Sequence, residues 1–188
     1  MAEYYIASCV FTSQFPELSL RIQNSVRERF GYTVVRCCVP KYKIREFEEK
    51  MPEGALRECW SSLPDSGLFA AGDNVYSLCH YCNNIIGEMH SGVQVHSLWE
   101  LIDSDSAFSF PNFHGFRAYV QDCWRSRDRI DEQNAMWKVL SEGLYRTRRK
   151  NRKKSCGSIA DSLAVIKWCV TVITVRRASD RQIGRAHV

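Results

Sequence analysis

Tyr32-Thr33-Val34-Val35-Arg36-Cys37-Cys38-Val39-Pro40 is the stretch on which the reading of the fold turns. Its β-branched residues favour a pleated strand. Pro40 then ends regular pairing, because it lacks a ladder donor. Adjacent side chains on a strand point to opposite faces, so Cys37 and Cys38 can turn towards one place only where the strand ends. Upstream, Pro16 and Glu17 suit the first turn of a helix, Leu18, Ile22, Val26 and Phe30 recur along one face, and Gly31 suits a left-handed position past its end. Earlier still, the short apolar strand Tyr4-Tyr5-Ile6-Ala7-Ser8 is closed by Cys9. The succession is strand, cysteine, helix, strand, cysteine pair. It is a βαβ unit with sulfur at the strand ends, where open α/β sheets place their sites.

Downstream, 41–63 reads as two helical segments split by Pro52-Glu53-Gly54. Ile44, Phe47 and Met51 line the first; Leu56, Cys59, Trp60 and Leu63 line the second, with Cys59 expected in the core as a small hydrophobe. Asn74-Val75-Tyr76-Ser77-Leu78 is a third strand running into Cys79-His80-Tyr81-Cys82, with a short helix over 83–89. That places two thiols at a helix N-terminus, where orphan amides and the helix dipole favour thiolate. His80 is expected to point away from them. A strand at 93–95 and a helix at 97–102 that turns Leu98, Leu101 and Ile102 inward come next, and 103–112 reads as a join.

Five cysteines therefore fall at the ends of three strands, with 27 residues between Cys9 and Cys37-Cys38 and 40 more before Cys79-x-x-Cys82. This arrangement resembles the cysteine-rich CCG domain found in heterodisulfide reductase and in related glycolate-oxidase and lactate-utilisation iron-sulfur proteins. Val39 stands where that family has glycine after the paired cysteines. The resemblance implies that Cys9, Cys37, Cys38, Cys79 and Cys82 hold an iron-sulfur cluster, [4Fe-4S] and noncubane in the best understood members. It also implies a Rossmann-like layered α/β sheet and a role in electron transfer beside a flavoprotein or ferredoxin-like partner.

Three site chemistries compete on the residues themselves. A cluster can employ all five thiols, since it contains several irons. A zinc site takes four thiolates, leaves one over and serves folding alone. A thioredoxin-like dithiol uses Cys79 and Cys82 and gives Cys37-Cys38 no role. The cluster is the expected answer, with a zinc-stabilised binding module, its basic tail docking on nucleic acid or an acidic partner, as the alternative. No Gly-rich dinucleotide fingerprint or Ser/His/Asp arrangement accompanies the cysteines, so no catalytic residue is assigned.

The second half reads as a degenerate or truncated copy of the first. A strand at 117–122 is closed by Cys123, a helix over 128–144 carries Ile130, Trp137, Leu140 and Leu144 on one side, and 32 residues separate Cys123 from Cys156-Gly157. Cys123 and Cys156 read equally well as remnants of a second ligand set or as unrelated thiols, and Cys169 reads as core. The expected domains are a cysteine-rich domain over 1–110 and the degenerate half over 111–181. Residues 182–188 read like a translated sequencing adapter and are expected to be non-native.

The net charge of +5 is unevenly distributed. Of 26 basic residues 12 lie in 141–188, against 3 of 21 acidic ones, so the rest of the chain is acidic. Seven of the nine residues over 146–154 are Arg or Lys, a block expected to be a solvated segment, with nucleic acid not expected as a partner. The apolar run 163–175 is 13 residues long, short of the roughly 20 that a membrane span needs. Met1-Ala2-Glu3-Tyr4-Tyr5 has no basic n-region, which argues against a secretory signal. Nine cysteines, an odd number, suit a disulfide framework poorly, and the expected location is cytoplasmic.

Overall fold

The computed structural model describes residues 1–36, 53–109, 113–121, 126–149 and 172–177. The chain divides into two compact units, Met1–Leu101 and Ile102–Val188.

The first unit is a mixed α/β fold built on a four-stranded, wholly parallel sheet. Strands β1 (Glu3–Ala7), β2 (Thr33–Arg36), β3 (Asn74–Ser77) and β4 (Gln94–Ser97) lie in the order β2-β1-β3-β4. Ile6 stands opposite Val35 on one side and Ser77 on the other, and Ser77 opposite Ser97. Parallel neighbours need crossovers, and helices lie in them: α1 (Cys9–Gln14) and α2 (Pro16–Phe30) between β1 and β2, α3 (Ala55–Ser61) between β2 and β3, and α4 (His80–Met89) between β3 and β4, while α5 (Leu98–Ser104) follows β4 and runs across the unit boundary. Tyr5, Ile6 and Ala7 are buried in succession, so the central strand is covered on both faces and its sequence need not alternate. Val35, Val75, Ile86 and Trp60 complete the core.

Helix α2 has the expected ends. Pro16 sits in its first turn, and Gly31 closes it at φ 70°, its N–H donating to the Arg27 carbonyl at 3.0 Å. Of the expected stripe, Val26 is buried and Leu18, Ile22 and Phe30 are not. Leu18 is 41% exposed, whereas Ser19, Gln23 and Val26 are buried. Hydrogen bonding accounts for the rotation. Thr12 donates to the Ser8 carbonyl at 2.7 Å, so its single hydroxyl proton is used and Ser19 must donate to Thr12 Oγ1, at 2.8 Å. Gln23 Nε2 then donates to Ser19 Oγ at 3.1 Å. The chain of donors runs one way, from Gln23 to the end of β1, and fixes α1 against α2.

The entry to β3 is pinned by Asp73, whose carboxylate accepts from the N–H groups of Ala2 (2.8 Å) and Ala70 (2.9 Å). Those two backbone bonds hold the Asp73 carboxyl below its ordinary range. Gly92 is required at φ 84°, where an added Cβ would come within 2.9 Å of Ala71 Cβ. On the sheet, Tyr32, Tyr76 and His96 stack in a row with centroid separations of 5.0 Å at both steps. The Glu3 carboxylate can only accept, so Asn74 Nδ2 donates to it at 2.7 Å, Asn74 Oδ1 faces His96 Nε2 at 3.1 Å, and that nitrogen carries a proton. Desolvation, followed by the hydrogen bond that the Tyr76 hydroxyl donates to Tyr32, pushes the Tyr76 phenol well above its usual value.

The second unit has a three-stranded sheet of β5 (Phe113–Gln121), β6 (Leu144–Arg149) and β7 (Val172–Arg177) in the order β6-β5-β7. β6 runs parallel to β5, and β7 antiparallel to it. Helix α6 (Ile130–Gly143) buries Ala135, Met136 and Val139, and pairs the buried Glu132 with Arg129 at 3.2 Å. Gln133 ties it to Ser126 through a 2.7 Å bond to the carbonyl. Lys138 lies 2.6 Å from Asp103, which raises its affinity for a proton through a hydrogen bond first and charge second.

The expectation of two similar halves is corrected. A four-stranded parallel sheet and a three-stranded mixed sheet with an antiparallel β7 are not copies of one plan. Cys123, Cys156 and Cys169 lie outside the described residues. Among the described residues no helix is long and apolar enough to cross a membrane.

Candidate functional site at the carboxyl edge of the parallel sheet

The chain leaves β1 for β2 on one side and returns to place β3 and β4 on the other, so the direction of winding reverses between β1 and β3. At such a switch point the connections diverge and open a crevice beyond the carboxyl ends of the strands. Beyond β1 the chain passes through Ser8, the cap residue of α1, to Cys9, the first residue of that helix. Beyond β3 it passes through Leu78 to Cys79, the cap residue of α4, and then to His80, Tyr81 and Cys82 in the first turn. β2 ends at Arg36.

Cys79 has an extended backbone at φ −101° and ψ 113°, and the helix begins on the next residue. Cys79 is half-buried, whereas Cys82, one turn along, is only 2% exposed. Both are present as thiols. Residues three apart on a helix share a face, with Cβ atoms roughly 5–6 Å apart. The carbonyl of Cys79 accepts both the Asn83 N–H at 3.1 Å and the Ser77 hydroxyl at 3.0 Å. Ser77 Oγ also meets Asn83 Oδ1, yet it has one proton to give. Turning the Asn83 amide over resolves this: Nδ2 then donates to Ser77, and Ser77 to Cys79. The last residue of β3 thus braces the cap cysteine from below.

Tyr5 lies on β1, the strand paired with β3. Burial pushes its phenol far above the usual value, and Cys82 and then Cys79 push it further the same way. At the neighbouring edge Arg36 is committed to the protein. Its N–H donates to the Pro64 carbonyl at 2.8 Å and its Nη1 to the Ser61 carbonyl at 3.0 Å, while its guanidinium lies over the Trp60 ring at 6.0 Å. Trp60 Nε1 in turn faces the Ala7 carbonyl at 3.4 Å. Beside α4, Ser97 and Glu100 form a capping box at the start of α5. Ser97 Oγ accepts from the Trp99 N–H at 3.3 Å, and Glu100 Oε2 accepts from the Ser97 N–H at 2.6 Å.

Of the five expected ligands, Cys79 and Cys82 share one helical turn and Cys9 starts the helix on the adjacent strand. Cys37 and Cys38 lie outside the described residues. Among the described residues no group of three or more His, Cys, Asp or Glu could hold a metal ion. The expectations of a [4Fe-4S] cluster, noncubane or otherwise, and of a zinc site are corrected on that finding. Two thiols on one turn fall short of the four donors either centre needs, and the groups packed at the β1 and β2 ends are an indole and a guanidinium. His80, expected to point outward, is buried, and Cys59, expected in the core, is half-buried. Nothing local in the sequence places β1 beside β3; only the sheet register does. No family model matches the chain, and neither curated proteins nor solved structures show a match. The CCG-domain and heterodisulfide-reductase resemblance drawn from cysteine spacing is corrected with the metal centre it implied.

Proposed function

We propose that the working site is the Cys79/Cys82 dithiol and that its chemistry is thiol–disulfide exchange, on a sheet wound in the Rossmann-like manner. The observation that carries this reading is the asymmetry of the pair: a half-buried cysteine caps the helix and a buried one sits a turn later. Attack on a substrate disulfide requires an accessible thiolate, and the positive end of the α4 dipole favours that anion. Resolution requires a second thiol within disulfide reach that the substrate cannot occupy first.

In the forward direction the Cys79 thiolate attacks one sulfur of the substrate disulfide. The other substrate sulfur leaves as a thiolate and takes a proton from water. The Cys82 thiolate then attacks the Cys79 sulfur and releases the second substrate thiol. The substrate has gained two electrons and two protons, and the protein holds a Cys79–Cys82 disulfide.

Trapping tests the reading. Cys82→Ser should accumulate a mixed disulfide on Cys79 when treated with glutathione disulfide, whereas Cys79→Ser should leave Cys82 largely unmodified. Equal modification of the two single variants would remove the division of labour on which the reading rests.

A further inference from the structure

The register of the second sheet sets arginines side by side. Arg117 on β5 stands opposite Arg146 on β6 and Arg176 on β7, so one arginine from each of the three strands falls in a single row. Two residues along the same face, Arg148, Tyr119 and Thr174 form the next row. Positions between these rows carry Thr147, Ala118 and Val175, and then Ile173 and Val120 beside Arg149. Successive positions on a strand alternate between faces, so the register assigns Arg117, Arg146, Arg176, Arg148 and Tyr119 to one face in two consecutive rows, and Ala118, Val175, Val120 and Ile173, flanked by Arg149 and Arg177, to the other.

Like charges directly opposite one another on adjacent strands are destabilising. Neighbouring strands are about 4.8 Å apart, so the row spreads three positive positions over roughly 10 Å. A run of consecutive phosphates offers negative charge on that scale, and guanidinium groups bind phosphate bidentately. Tyr119, next to Arg148 on the same face, adds the aromatic element that a sheet uses to stack an unpaired base. We infer that this face of the β6-β5-β7 sheet binds single-stranded nucleic acid, with Arg146, Arg117 and Arg176 at the phosphates and Tyr119 at a base. Composition alone points to a solvated basic block at 146–154; the register moves the relevant charges into a row across three strands, two of which lie outside that block.

The test is fluorescence anisotropy of a labelled twenty-nucleotide poly(U) strand against the full chain from 50 to 300 mM salt. Binding should weaken steeply with salt. Arg146→Gln and Arg176→Gln should each lower the affinity several-fold and reduce the log–log salt slope by about 0.7 per arginine lost. Both variants should at the same time melt at an equal or higher temperature than the parent, because each relieves repulsion in the row, and a structural defect would do the opposite. Tyr119→Leu should weaken binding without altering the salt slope. Four results would overturn the inference: no binding at 50 mM salt, unchanged affinity in the Arg146/Arg176 double variant, loss of binding only when Lys153 and Lys154 are replaced, or inorganic polyphosphate or a poly-glutamate peptide competing as well as unlabelled poly(U).

Discussion

The two sheets of this protein solve the same problem in opposite ways. In the parallel sheet of the first unit, β1 buries Tyr5, Ile6 and Ala7 one after another, and the chemistry is pushed out to the strand ends, where α1 and α4 begin. In the mixed sheet of the second unit, the sequence of β5 alternates Phe116, Ala118 and Val120 with Arg117, Tyr119 and Gln121. A sheet covered on both sides leaves only its edges for a site; one with a polar side can use its breadth. The first arrangement gives a small, braced thiol pair; the second sets arginines in register across three strands.

The comparison predicts unequal sensitivity to substitution. The largest effect is expected at Trp60, which fills the space between Ala7 and Arg36: Trp60→Ala should cost about 3–5 kcal/mol in urea unfolding. pH should act on the first unit from both sides. Tyr5 has a raised folded value, so its contribution is complete below the usual phenol value of about 10 and is lost as the pH climbs beyond it. Asp73 has a lowered value, so its contribution is complete above the ordinary carboxylate range and is lost as the pH falls through its folded value. Tyr5→Phe should flatten the alkaline limb of a stability–pH curve and Asp73→Asn the acid limb. Ser97→Ala, which removes one half of the capping box, should cost about 1 kcal/mol. The smallest effect is expected in the second sheet, where Arg117→Gln should change stability by only about a few tenths of a kcal/mol, and towards greater stability.

The elements of the first unit were legible because their signals are local. Pro16 and Gly31 mark the ends of α2, the β-branched run at 33–35 marks β2, and Cys79-x-x-Cys82 marks the start of α4. The features that escaped depended on partners far away in sequence. The buried stripe of α2 can include the polar Ser19 and Gln23 beside Val26 because Thr12, on a different helix, completes their hydrogen bonds. Placing five cysteines at strand ends was a sound reading of the sheet edge for Cys79 and Cys82, but nearness to an edge does not make a ligand shell. Spacing counts residues, whereas a metal needs donors converging on a point, and none converge among the described residues. The arginine row was invisible for the same reason: Arg117, Arg146 and Arg176 become neighbours only through the order β6-β5-β7.

The central claim is that Cys79 and Cys82 act as a pair with divided roles. Its most direct test is equilibration of the reduced protein in glutathione buffers of graded potential, with acid quenching, alkylation and peptide mass spectrometry. The account predicts a single reversible two-electron transition that yields a Cys79–Cys82 disulfide, with Cys79 alkylated faster than Cys82 on the reduced side. Two thiols that stay reduced across the whole range, or that are alkylated at the same rate, would contradict it.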